Sequence, residues 1–183
     1  MQKSALIFLA EGFEEIEAVT CIDILRRAAV EVTIAGLSAN PVVGSRGVRL
    51  NADQDVDSVD ETFDAYVLPG GGPGAVNLAR CKKVQMILRD AERQGKIIAA
   101  ICASPAVVLS PLGLLKNKSA TCYPGMQKDF PSDAHFMPEA VVVDGNLITS
   151  RGPATAMEFA LTMVEHLAGP DVRHQVARAT LAG

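Results

Sequence analysis

The sequence predicts an α/β protein with a mostly parallel central sheet covered by helices on both faces. Three observations predict it. Short runs are apolar at every position, as in residues 5–9 and 97–101, which suits strands buried on both faces. Between such runs, apolar residues recur at spacings of three and four, the stripe of a helix. Turn residues cluster where runs end, above all at Pro69-Gly70-Gly71-Gly72. Strands alternating with helices build βαβ units, hence a parallel sheet.

The elements follow in order. Residues 5–9 are the first strand. Ala18, Ile22, Leu25 and Ala29 then form one stripe, so residues 14–29 read as a helix. Residues 32–35 are a strand stopped by Gly36. Residues 41–56 mix turn residues with short apolar pieces and read as a small hairpin excursion. Residues 65–68 are a strand running into the glycine cluster. Val84, Ile87, Leu88 and Ala91 mark a helix that Gly95 ends. Residues 97–101 are a strand and 104–109 a short helix. A strand over 119–121 follows, then a hairpin over 141–149 that turns at Asp144-Gly145. Ala156, Phe159, Ala160, Met163, Val164 and Leu167 line a helix over 153–168, closed by Gly169-Pro170. A short helix starts at Asp171. No internal repeat, low-complexity tract or linker interrupts the pattern. The 183 residues are expected to form one domain, 1–183.

Composition removes several function classes. Apolar residues make up 49% and charged residues 21%, which rules out wholesale disorder. Aromatics are 4% with no Trp, so the core must be aliphatic. A net charge of -4 with scattered basic residues argues against a nucleic-acid-binding face. Cys21, Cys81, Cys102 and Cys122 have no C-x-x-C spacing and no flanking histidines, so no metal site is expected. No apolar stretch approaches a membrane span, and the opening apolar run meets Glu11, Glu14, Glu15 and Glu17, unlike a signal peptide. The expectation is a cytoplasmic protein with reduced thiols.

In parallel α/β sheets ligands bind beyond the carboxyl ends of strands, so the segments after Leu9, Leu68 and Ile101 should meet. The first carries Glu11-Gly12-Phe13-Glu14-Glu15-Ile16-Glu17. Glu14 and Glu15 read as acids complementing a helix dipole. Glu17 borders the apolar stripe, and a carboxyl drawn inward there would have a raised pKa. The second, Pro69-Gly70-Gly71-Gly72-Pro73-Gly74, lacks the lysine of a phosphate loop and the spacing of a dinucleotide fingerprint. It reads instead as a tight turn whose bare amides face the site, half of an oxyanion hole.

The third, Ala99-Ala100-Ile101-Cys102-Ala103-Ser104-Pro105, has the form of a nucleophile elbow. The corner residue is strained, and small neighbours at two before and two after, Ala100 and Ser104, give it room. Pro105 suits the helix start. A thiol at that start is expected to have a lowered pKa. The alternative is a small buried core cysteine, the reading favoured for Cys21, Cys81 and Cys122.

These segments resemble the ThiJ/PfpI superfamily, in the branch of the parkinsonism-associated protein deglycase. Thr149-Ser150-Arg151-Gly152-Pro153-Ala154-Thr155 adds a fourth motif in the same order. The resemblance implies a flavodoxin-like three-layer sandwich, no cofactor, and a homodimer through the first helix, with Glu14, Asp23 and Arg27 at the interface. It implies Cys102 as the reactive nucleophile, Glu17 as a protonated acid bonded to it, and the amides of Gly71 and Ala103 as the oxyanion hole. Gly70, Arg46 and Arg151 would line the cleft. Tyr123, in Thr121-Cys122-Tyr123-Pro124, stands where many members carry a histidine, which implies slow turnover because a phenol is a poor base at neutral pH. His135, His166 and His174 have no motif tying them to the site.

The implied activity is a glyoxalase and deglycase of carbonyl-stress defence. Its substrates would be methylglyoxal, glyoxal or their early adducts on proteins and nucleotides, and its products lactate or glycolate. The alternative is a redox-regulated chaperone or oxidative-stress sensor acting through oxidation of Cys102. An amidase-like hydrolase finds no support in these residues.

Overall fold

A computed structural model describes residues 2–37 and 40–182. The order is β1 (Ser4–Leu9), α1 (Glu15–Arg27), β2 (Glu31–Gly36), β3 (Val42–Val43), β4 (Arg49–Leu50), β5 (Gln54–Asp55), β6 (Ala65–Leu68), α2 (Gly72–Arg80), α3 (Lys82–Arg93), β7 (Ile97–Ile101), β8 (Ser119–Ala120), β9 (His135–Phe136), β10 (Val141–Asp144), β11 (Leu147–Ser150), α4 (Ala156–Ala168) and α5 (Pro170–Ala179).

The central sheet runs β10-β11-β7-β6-β1-β2-β5. Every neighbouring pair is parallel except β10 with β11, the hairpin that turns at Asp144-Gly145. This is the mixed, mostly parallel α/β sandwich expected from the apolar runs. Leu6, Ile7, Phe8 and Leu9 are all fully buried, as strands covered on both faces must be. The chain leaves β1 toward β2 on one side and later takes up β6 on the other. Right-handed crossovers in opposite directions set α1 and α3 on opposite faces. They also open a crevice at the carboxyl ends of β1 and β6, where the strand order reverses. α1 packs on α4 and α4 on α5, and Phe159, Met163 and Val164 of α4 are fully buried.

Several boundaries differ from the sequence reading. The first helix ends at Arg27, and Ala29 lies outside it at φ +56, exposed. Ile24, 1% exposed, takes its place on the buried face. The excursion over 41–56 holds the antiparallel pair β3–β4, but its end joins the main sheet as β5, parallel to β2. The strand near 119 pairs with β9 rather than with the main sheet. Residues 105–109 form a π-helical turn, closed by Ser110 N–H donating to Pro105 O at 3.0 Å. The last stripe begins with a 3₁₀ turn at Pro153–Thr155 before α4. The glycine cluster runs directly into α2, a helix that no apolar stripe announced.

Candidate active site

The crevice is assembled from the ends of β1, β6 and β7. Cys102 follows β7 at φ +64, a left-handed conformation that a non-glycine residue adopts at a cost. Its neighbours hold it there. Its N–H donates to Ser150 O at 2.9 Å, and its carbonyl accepts from Tyr123 N–H at 2.8 Å. The Ser104 hydroxyl donates to Pro69 O at 2.6 Å, tying the elbow to the end of β6. The sequence suggested a small Ser104 for room; the hydroxyl is also a latch.

Gly70 joins this corner to α1. Its carbonyl accepts from Glu14 N–H at 3.0 Å, and its N–H donates to Glu17 Oε2 at 2.7 Å. Glu14 caps α1 by accepting from Glu17 N–H at 2.8 Å. The turn tolerates no side chain at Gly70. A Cβ there would lie 2.5 Å from Cys102 Cβ and 2.7 Å from Glu17 Oε2. Gly71 has φ +87, and a Cβ on it would lie 2.2 Å from Gly12 O. Gly70→Ala is therefore expected to lower stability by about 1–3 kcal/mol through overpacking. It should also push Glu17 and Cys102 apart. Thermal melts and the rate of Cys102 alkylation check both effects; an unchanged melt and rate would refute this packing.

The structure brings Cys102, Glu17, Gly70, Gly71 and Ala103 together. The amides of Gly71 and Ala103 both donate toward the Cys102 sulfur. Glu17 is fully buried, and its Oε1 has no hydrogen-bond partner of good geometry among the described residues. Burial is the main cause that pushes Glu17 up to about 7; Glu14 adds to the rise, while the Gly70 amide and the Cys102 thiol oppose it.

Cys102 departs from the expected lowering. Burial pushes its thiol up to about 12, and an ionised Glu17 adds to the rise against the two amides. The π turn that follows is a single turn, too short to supply the full dipole of a long helix. Two anions in contact repel, so the titration belongs to the pair. Burial keeps the Glu17 carboxyl protonated up to about 7 and holds the Cys102 thiol protonated well above that.

Tyr123 reaches this corner through its backbone bond to Cys102. Arg46 and Arg151 are not drawn in. The Arg46 guanidinium donates to Ser45 O at 3.2 Å and that of Arg151 to Pro138 O at 3.3 Å. Neither donates to Glu17 or Cys102. Of the helix residues, Asp23 and Arg27 pair with each other at 2.7 Å on the exposed side of α1. Glu15, read as a dipole-complementing acid, does something else. It is 8% exposed and accepts from the Ser45 hydroxyl at 3.0 Å and from Arg46 N–H, anchoring the β3–β4 hairpin to α1. Burial pushes Glu15 up, but those donors outweigh it and hold its carboxyl below the usual range. No spacing in the sequence signals that contact.

The remaining thiols lie elsewhere. Cys21 is fully buried, and burial beside Glu17 raises it far out of reach of ionisation. Burial pushes Cys122 up to about 11. No group of three or more metal-ligating side chains gathers among the described residues.

Comparison with known proteins places these features in context. A model described as the DJ-1/PfpI family matches residues 3–166. Protein dj-1beta of Drosophila melanogaster is 44% identical over 184 residues, covering 99% of this chain and 98% of its own. Its crystal structure superposes with a TM-score of 0.96 over 100% of both chains. A Caenorhabditis elegans protein named glutathione-independent glyoxalase DJR-1.2 is 39% identical over 93% of this chain and 91% of its own. The Arabidopsis thaliana DJ-1 homologs A and B are 47% and 45% identical over 96% of this chain, which spans only 45% and 40% of their lengths.

Proposed function

The chain belongs to the DJ-1/PfpI family, and from that premise we propose that it is a cofactor-independent, cysteine-dependent glyoxalase. It acts on methylglyoxal, glyoxal or their early adducts on proteins and nucleotides. One observation carries this reading: a buried carboxyl sits against a thiol held at a strained elbow, under two converging amides. The glyoxalase name of the Caenorhabditis elegans relative supports it.

The chemistry balances without oxidant or metal. The Glu17 carboxylate takes the proton of the Cys102 thiol as the sulfur adds to the aldehyde carbon of methylglyoxal, forming a C–S bond and an alkoxide. The Gly71 and Ala103 amides hold that oxygen until Glu17 gives it a proton. Glu17, now a carboxylate, removes the hydrogen from the former aldehyde carbon. The electron pair passes to the neighbouring carbonyl as an enediolate. A proton shift between the two oxygens, followed by return of the Glu17 proton to the second carbon, yields a lactoyl thioester. Water cleaves the thioester, and lactate and the free thiol are released. The net change is addition of one water.

The test is lactate formation from methylglyoxal in the absence of glutathione. Turnover above the solution rate is expected, slow because Tyr123 brings no imidazole to the corner beside Cys102. No lactate above background would end the reading. The same donors around the Cys102 sulfur would also hold the oxygens of a sulfinate, which favours redox sensing or chaperoning as the second reading. Suppression of client aggregation by a peroxide-treated protein that forms no lactate would favour it.

We further infer a homodimer through α1, whose outer side exposes Ile16 and Val19 beside the Asp23–Arg27 pair. No described helix is long and apolar enough to cross a membrane. The four free cysteines suit a reducing cytoplasm.

A further inference from the structure

We propose that Tyr123 selects, among the carbonyl electrophiles that reach Cys102, those carrying a flat aromatic group, so that aryl α-oxoaldehydes are preferred to methylglyoxal; as a statement about substrates, this rests on the glyoxalase reading above.

Tyr123 is 49% exposed, the most open aromatic side chain among the described residues. Phe8, Phe13, Phe63, Tyr66 and Phe159 are buried, and Phe130 and Phe136 cover each other edge to face at 6.2 Å. Tyr123 has no such partner ring among them. Its backbone is fixed on both sides: the N–H donates to Cys102 O at 2.8 Å, and the carbonyl accepts from Met126 N–H at 3.0 Å. The ring rides on Gly152, where a Cβ would come 3.5 and 3.8 Å from two ring carbons. Gly152 therefore lies beside the ring.

The position of the ring relative to the acid gives the direction of the substrate. In the sheet, β7 lies between β11 and β6. Gly152 follows β11, whereas Glu17 reaches Cys102 past Gly70 at the end of β6. Ring and carboxyl therefore flank the nucleophile from two sides. With the aldehyde carbon on sulfur, its oxygen at the amides and its hydrogen toward Glu17, the remaining substituent is directed toward Tyr123. The half-exposed Tyr123 ring offers that substituent an aromatic surface. A methyl group leaves this surface unused, while a phenyl group stacks on it.

The test compares phenylglyoxal with methylglyoxal in wild type, Tyr123→Ala and Tyr123→Phe. The first readout is the ratio of kcat/KM for the two aldehydes. The second needs no turnover: it is the ratio of Cys102 alkylation rates by phenacyl bromide and bromoacetone, each divided by its rate with glutathione. Both ratios are expected to fall about five-fold in Tyr123→Ala and to hold in Tyr123→Phe, the size of one aromatic pair. Unchanged ratios in Tyr123→Ala overturn the proposal, and so does an equal fall in the phenylalanine variant. If neither aldehyde yields its hydroxy acid but the alkylation ratio still falls, the glyoxalase reading fails and aryl selection by Tyr123 stands.

Discussion

Cys102→Ala is expected to reduce lactate formation from methylglyoxal by about three orders of magnitude or more, to the solution rate, because no other group can form the thioester. Cys102→Ser should do the same, since a hydroxyl in that buried place ionises far less readily than a thiol. Cys21 and Cys122 cannot substitute: both are buried, and burial raises both thiols. The elbow makes a second, independent outcome. At φ +64 alanine keeps the strain and glycine removes it. Cys102→Gly should therefore unfold at higher denaturant than Cys102→Ala, by about 1 kcal/mol, although both are inactive. Strain retained at a residue whose loss abolishes activity is what a functional corner requires. If Cys102→Ala retains wild-type turnover, the cysteine is a packing residue and the mechanism falls.

Much of this site was legible because its chemistry is written in local spacing. A strand that turns at one residue needs small neighbours, and Ala100 and Ser104 stand at the required offsets around Cys102. Glu17 adjoins a stripe whose members Ala18, Ile22 and Leu25 are buried, so its inward place follows from helical periodicity. What could not be read depends on contacts between distant segments. β5 is two residues long and is a strand only because β2 lies beside it. α2 opens with Gly72-Pro73-Gly74, poor helix formers that are held by packing against Gly12 and Phe13. Glu15 meets Ser45 and Arg46 thirty residues away, and no periodicity encodes that. The ionisation of Cys102 was misjudged for a related reason. The helix start is visible in the sequence, but the depth of burial at the elbow is not, and it acts most strongly on the thiol, with Glu17 adding to the rise.

Glu17→Gln should separate the proton shuttle from the architecture. The amide keeps an oxygen for the Gly70 N–H and the volume of the side chain, so the fold is retained. It can neither accept nor return a proton at the substrate carbons, and kcat is expected to fall by about 10²–10⁴-fold. The wild-type rate should rise as pH passes through about 7, when the pair loses its first proton, and the variant should lose that rise. Stability moves the other way. In the folded chain Glu17 titrates near 7 rather than at 4.5, so the native state holds the proton more tightly than the unfolded one. That contribution is fully present below pH 4.5 and is lost as pH climbs to 7. At 1.36 kcal/mol per pH unit, the loss is about 3 kcal/mol. Glutamine does not titrate, so Glu17→Gln should gain on wild type by about that amount between pH 4.5 and 8. Denaturant unfolding at the two pH values measures it. A stability difference independent of pH would mean that Glu17 ionises as freely as in water, and a carboxylate that weakly basic could not draw the proton from the Cys102 thiol.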